Sequence, residues 1–222
     1  GIYAMKKFRH EFVNLPKLTE EYIDGRRHYK TPDGNVYPSV TTILSRLPNE
    51  SLIEWQKRVG ETEAKRVSSV SARRGTNLHE VCERYLFNEE RPTRGHMPDV
   101  QGMFGELKKY IDRIDEIYAI EAQLYSDQYK FAGRCDVIGI FDDYPAIIDF
   151  KTTRSEVDSS MDKVKKYFMQ LAAYSLAFEE RVGKKIDCGV LLFASAETEP
   201  SCIQADLTKY KELFISCLTF PK

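Results

Sequence analysis

Between Phe131 and Thr152 the chain reads FAGRCDVIGIFDDYPAIIDFKT, and the reading of the fold starts from this stretch. Strand-like apolar runs lie on either side of an Asp142-Asp143 turn signal. Two acids interrupt them: Asp136 precedes Val137-Ile138, and Asp149 stands between Ile148 and Phe150. A carboxylate in such a place is costly to desolvate unless something pairs with it. Period-two alternation puts Lys151 on the same strand face as Asp149. Two carboxylates on adjacent strands, with a lysine two residues beyond one of them, point to a divalent metal site. Hard oxygen donors suit Mg²⁺, with Mn²⁺ able to substitute, and the lysine would face the same phosphate as the metal.

Working outward, Tyr118–Tyr125 forms a third strand-like run, separated from Tyr129–Phe141 by Ser126-Asp127. Tyr144–Phe150 closes the meander. Helical spacing is predicted over Ser160–Val182, a buried strand over Ile186–Ala194, a short one over Cys202–Ala205, and a closing helix over Leu207–Leu218. Upstream, Arg27–Lys30 and Asn35–Tyr37 flank Pro32-Asp33-Gly34 as a hairpin, and Ser39 caps a short helix through Leu44. Ser51 to Phe87 is helical with a break near Gly60, Asn88–Pro98 is a loop, and a helix runs from Val100 to Ile117. The sum is an α/β chain with a central mixed sheet flanked by helices. It reads as a single domain over 1–222, with a hairpin and helical part to about 117 and the catalytic sheet core from about 118.

Composition bounds the partners. Lys plus Arg number 33 and Asp plus Glu 34, so the net charge is −1 and any nucleic-acid site is a local patch. A mean hydropathy of −0.46 and the lack of a long apolar run argue against a membrane helix. Gly1 to Met5 lack a signal-peptide layout, and Gly1-Ile2-Tyr3-Ala4 reads as a remnant ahead of a native start at Met5. The five cysteines are scattered without a CxxC pair, which argues against a zinc ribbon or iron–sulfur cluster and for free thiols in a reducing compartment. The expected setting is cytoplasmic or phage-encoded intracellular, with an organelle left open.

Asp…Asp-x-Lys on strands resembles the PD-(D/E)xK nuclease superfamily, and four motifs in order carry the resemblance. Ala132-Gly133-Arg134-Cys135-Asp136 is similar to the "aGr-x-D" strand of its RecB-like branch, and Asp149-Phe150-Lys151-Thr152 to its "D-x-K-T" strand. Gln170 to Tyr174 is similar to the "Q-x-x-x-Y" helix, and Arg74 to His79 to the "RG-T-x-x-H" helix. Pro38 to Ile43 is similar to the "S-V-T-x-I" segment of phage and mitochondrial genome maintenance exonucleases.

The resemblance implies a restriction-endonuclease-like core and metal-dependent DNA cleavage, working from single-stranded ends and leaving a 5′-phosphate. It implies that His79, Asp136, Asp149 and the Phe150 carbonyl hold one or two Mg²⁺ ions. Lys151 would orient or help deprotonate the attacking water, Gln170 would position a water or phosphate, and Tyr174 would support the Lys151 side. Arg74, Thr76, Ser39, Thr41 and Arg134 are candidate nucleic-acid contacts, with the first four walling a narrow passage that admits free ends.

Several positions carry more than one reading. Glu83 is open between a second acidic neighbour and a surface position, and Glu121 between metal work and facing Arg134. Basic clusters at Lys65-Arg66, Arg73-Arg74 and Lys163-Lys165-Lys166 are open between phosphate contacts and solvated faces. Tyr29, Tyr37, Tyr167 and Phe168 fit core packing better than base stacking, and Cys82 and Cys135 read as packing. A ring-forming double-strand recombination exonuclease, a restriction-type endonuclease and a catalytically silent binding module stand as rival functions. Oligomeric state is open.

Overall fold

The computed structural model describes residues 6–219, so the reading of Gly1–Met5 lies outside the described residues. Nine strands and six helices follow in chain order among the described residues. Strands β1 (Arg9–His10), β2 (Thr19–Ile23), β3 (Arg26–Lys30) and β4 (Val36–Pro38) lead into helices α1 (Val40–Leu44), α2 (Glu50–Val59), α3 (Glu61–Leu86) and α4 (Pro98–Ile111). The meander β5 (Ile114–Ser126), β6 (Phe131–Phe141) and β7 (Tyr144–Thr152) comes next. Helix α5 (Asp162–Val182), strands β8 (Cys188–Ala194) and β9 (Ser201–Asp206), and helix α6 (Thr208–Cys217) complete the described chain.

Six strands form one mixed sheet in the order β1-β5-β6-β7-β8-β9. Its central pairs β5–β6 and β6–β7 are antiparallel, while β7 and β8 are parallel and joined through α5. A parallel pair needs such a crossover, and the helix it contains then covers one sheet face. Helices α1, α5 and α6 pack on that face with Ile147, Leu191 and Phe193. Helices α3 and α4 pack on the other with Ile148, Val190 and Leu192. Burial on both faces is why β7 and β8 carry continuous apolar runs rather than clean alternation.

A second, three-stranded antiparallel sheet holds β2, β3 and β4. The predicted hairpin is its β3–β4 half, with Tyr29 opposite Tyr37. Ser39 accepts the backbone N–H of Thr42 and caps α1 as expected, and Gly60 separates α2 from α3. Neither β1 nor β2 is legible in the sequence. Strand β1 is two residues long and is fixed from outside: Asn88 Oδ1 accepts the Phe8 N–H at 2.7 Å, and Asn88 Nδ2 donates to the Phe8 carbonyl at 3.0 Å.

One element boundary is corrected. The helix expected over Val100–Ile117 ends at Ile111, and Ile114 to Ile117 already belong to β5. Ile111, Ile114 and Ile117 are all fully buried in one cluster, so their spacing of three continues the helical period. In the strand, a register shift between Ile114 and Ile117 keeps both on one face, which an unbroken strand could not do at odd spacing. Among the described residues no helix is long and apolar enough to cross a membrane.

Candidate active site

The site lies where β6 and β7 part company. Their ladder runs from Phe141 opposite Tyr144 to Val137 opposite Ile148, and Asp136 and Asp149 come next. In place of a further ladder pair, side chains bond to backbone. Asp149 Oδ1 accepts the Asp136 N–H at 3.0 Å, and Asp136 Oδ2 accepts the Phe150 N–H at 2.8 Å. The N–H and C=O of a strand residue point to the same side, so the Phe150 carbonyl also faces Asp136.

Asp136 has a second irregular neighbour. On β5 and β6 the pairs Ile120–Val137 and Ala122–Cys135 keep one register, with Glu121 and Asp136 opposite each other between them. Glu121 has φ of 52°, the left-handed region, in the middle of a strand. Such a conformation costs a non-glycine residue on the order of 1–3 kcal/mol and clusters at functional sites. Facing alternation slips at the same place on both strands: Ala119 and Ala122 share the α5 face, as do Cys135 and Ile138. Both acids thereby open into one cleft of about 560 Å³. Nothing in the residue pattern signals this slip.

Helix α3 brings the histidine. His79 Nε2 lies 3.0 Å from Asp136 Oδ2, and its Nδ1 lies 2.7 Å from the Gly75 carbonyl one turn back. Both partners are acceptors, so both ring nitrogens carry protons and His79 is an imidazolium. Burial opposes that charge, but Asp136 outweighs it and His79 is pushed up to about 9. Burial also works against the Asp136 carboxylate, yet His79 and Lys151 hold it below the usual range. The Asp149 carboxyl moves the other way, raised by burial and by the neighbouring Asp136 charge.

Lys151 stands between the acids and α5. Its Nζ is 3.3 Å from Asp149 Oδ2, donates to Gln170 Oε1 at 2.7 Å and lies 4.5 Å from the Tyr167 ring centre. Gln170 Nε2 in turn donates to the Tyr174 hydroxyl at 2.7 Å. The i, i+4 spacing of Gln170 and Tyr174 on one helix thus forms a chain from the lysine into the core. Tyr174 fits because position 133 is glycine: a Cβ there would lie 2.8 Å from the Tyr174 ring and 3.2 Å from Val40. The motifs around Gly133, Val40 and Tyr174 meet at this point.

The outer candidates divide. Thr41 is exposed on the cleft, and Ser39 lines it while its Oγ serves the α1 cap. Thr76 lines the same cleft, but its hydroxyl donates to Ala72 within α3. Gly75 and Thr76 sit inside α3 rather than in a turn, and a Cβ at Gly75 would make only an ordinary 3.5 Å contact with Thr152. Arg74 is not among the residues lining the catalytic cleft. It faces a neighbouring one, its Nε 3.0 Å from Asp99. Arg134 is held by Glu121 at 3.0 Å and by Glu20 at 3.8 Å. Glu83 lines the cleft, and burial raises both its carboxyl and that of Glu121, the latter to about 7. Lys65 and Arg66 pair with Glu61 and Glu63 on their own helix. Cys82, Cys135, Tyr29, Tyr37 and Phe168 are buried.

Among the described residues no three His, Cys, Asp or Glu side chains stand around a common point as a bound metal would require. The reason is visible in the bonding: the donor atoms of His79, Asp136 and Asp149 are engaged with each other and with backbone N–H groups. Their chemistry fits a hard divalent ion, since two buried carboxylates and an imidazole adjoin one another in one cleft. Imidazole Nε2 would give up its proton, and the Nδ1 bond to Gly75 would keep the ring oriented.

Residues 46–211 match the family model described as the PD-(D/E)XK nuclease superfamily. The chain belongs to that superfamily. Every motif just described except the Ser39–Thr41 segment falls inside the matched span. A curated relative is one component of the ATP-dependent helicase/nuclease of Carboxydothermus hydrogenoformans, 36% identical over 84 residues. That match covers 38% of this chain and only 7% of the relative's length. Among solved structures, one described as an exonuclease from Eubacterium rectale is 15% identical, with a TM-score of 0.47 over 67% of this chain and 63% of its own. The structure of SSO0001 is 16% identical, with a TM-score of 0.38 over 81% of this chain and 75% of its own.

Proposed function

We propose that this PD-(D/E)XK chain is a Mg²⁺- or Mn²⁺-dependent deoxyribonuclease that hydrolyses phosphodiester bonds from single-stranded ends. One observation carries the reading: Asp136, Asp149, His79 and Lys151, from three separate elements, converge within hydrogen-bonding reach at the floor of one cleft. Packing on both sheet faces restrains the backbone that carries them, which limits the reorganisation substrate binding requires.

His79, Asp136, Asp149 and the Phe150 carbonyl would hold the ion. A divalent ion there would act as a Lewis acid, acidifying the attacking water and neutralising charge on the scissile phosphate. Lys151, beside two acids, stays protonated and donates to the water or to a phosphate oxygen. Gln170 Oε1 fixes the direction of that ammonium, and Tyr174 fixes Gln170. Helix α3 on one side and the Ser39–Thr41 segment on the other wall the cleft over these groups. A strand threading between them is contacted through phosphate and sugar, which favours free ends over sequence.

The experiment compares end-labelled linear single strands, linear duplex and covalently closed single-stranded circles in Mg²⁺, Mn²⁺ or EDTA. Degradation of linear single strands with either metal, and far slower loss of circles, is expected. Equal rates on circles and linear strands defeat end dependence, and absence of metal-dependent cleavage on every substrate defeats the nuclease reading.

A further inference from the structure

The catalytic cleft does not end at Lys151. Ser71 and Thr152 line it and also line a second cleft of about 470 Å³ between α2, α3 and the segment after β7. Tyr167, under the Lys151 ammonium, forms part of the second cleft as well. The two spaces are therefore neighbours along one surface path.

The second cleft holds unusual chemistry for a nearly neutral protein. Trp55, the single tryptophan of the chain, lies under Arg154, whose guanidinium carbon is 5.0 Å from the ring centre. Lys163 lines the same space. Among the described residues neither Arg154 nor Lys163 has a carboxylate partner, whereas Arg74 on the same wall is paired with Asp99. Partial burial and the Arg154 charge together hold the Lys163 ammonium below its ordinary value. Two like charges kept together without a counter-ion, beside an aromatic face, match a phosphate and the base it carries.

We infer that this second cleft binds the stretch of single-stranded DNA adjoining the scissile phosphate, with Arg154 and Lys163 on phosphates and Trp55 as a stacking platform for a base. The inference rests on the nuclease reading of the first cleft and assigns where the rest of the strand goes. It also gives Trp55 a role that no sequence motif carries.

Trp55 supplies its own probe. In EDTA at low salt, oligothymidylate long enough to span both clefts is expected to quench tryptophan emission, whereas a thymidine dinucleotide leaves it unchanged. The Arg154→Ala/Lys163→Ala double variant is expected to bind the long strand about tenfold more weakly. Its log–log salt slope should fall by roughly 0.7 for each phosphate that the variant no longer engages. With Mn²⁺ present, the advantage in kcat/KM of long over short substrates should shrink by a similar factor. Flat emission in the wild type, with the same length dependence in both proteins, overturns the inference while leaving the nuclease intact. Absence of cleavage at any length by the wild type instead removes the reading on which it rests.

Discussion

Gly133 and Tyr174 approach so closely that a Cβ on the glycine would stand 2.8 Å from the tyrosine ring. The contact joins a strand beside the acids to the helix that steers the lysine. It makes Gly133 a positioning residue at a place where its φ is ordinary and space alone demands glycine.

Gly133→Ala should therefore cost about 1–3 kcal/mol in stability by overpacking. It should also lower kcat, since a displaced Tyr174 releases Gln170 from Lys151. Tyr174→Phe keeps the ring and removes the hydroxyl that accepts from Gln170, so it should lower kcat with the fold retained. Thermal melts beside single-turnover rates check both, and wild-type kcat in Tyr174→Phe would dissolve the proposed chain.

Asp149→Asn keeps an acceptor for the Asp136 N–H and removes one of two adjacent buried charges. Cleavage should vanish, while the metal-free protein should melt at the same temperature or higher, because the repulsion that raises the Asp149 carboxyl is gone. A metal-free melting point well below wild type would show that the charge stabilises the fold.

Lys151→Ala should remove on the order of 10²–10³ in rate while Mn²⁺ affinity measured by calorimetry is largely kept. The ammonium contacts Asp149 and Gln170 and would act on water and phosphate rather than on the ion. A large drop in metal affinity would reassign it.

Outside the residues that line the cleft, Asn88→Ala removes both bonds to Phe8 and should destabilise by about 1–3 kcal/mol, as unpaired backbone groups do. Nuclease activity per folded molecule should be unaltered. A denaturant midpoint equal to wild type would show that β1 is held by other means.

Much of the architecture is legible in the sequence because its signals are local. The Asp142-Asp143 turn, the Gly60 break and the Ser39 cap each act over a few residues, and the structure has them where expected. Asp136, Asp149 and Lys151 stand out because charge in an apolar strand is costly. The parts that stay hidden depend on distant partners. Strand β1 rests on an amide 80 residues away, the end of α4 is masked by isoleucines whose spacing suits a helix, and Arg74 is claimed by Asp99 from α4. The left-handed backbone of Glu121 and the Trp55–Arg154 stack likewise have no signature shorter than the fold itself.

The paired slip at Glu121 and Asp136 isolates reactivity from architecture. On either side of it the strands keep one register, so the apolar pairs that hold the sheet do not include the two acids. A descendant with Asn at position 136 would keep an acceptor for the Phe150 N–H and lose the charge that holds His79. Resemblance of form is then a weak guide to whether a relative cuts, and the identity at position 136 is a better one.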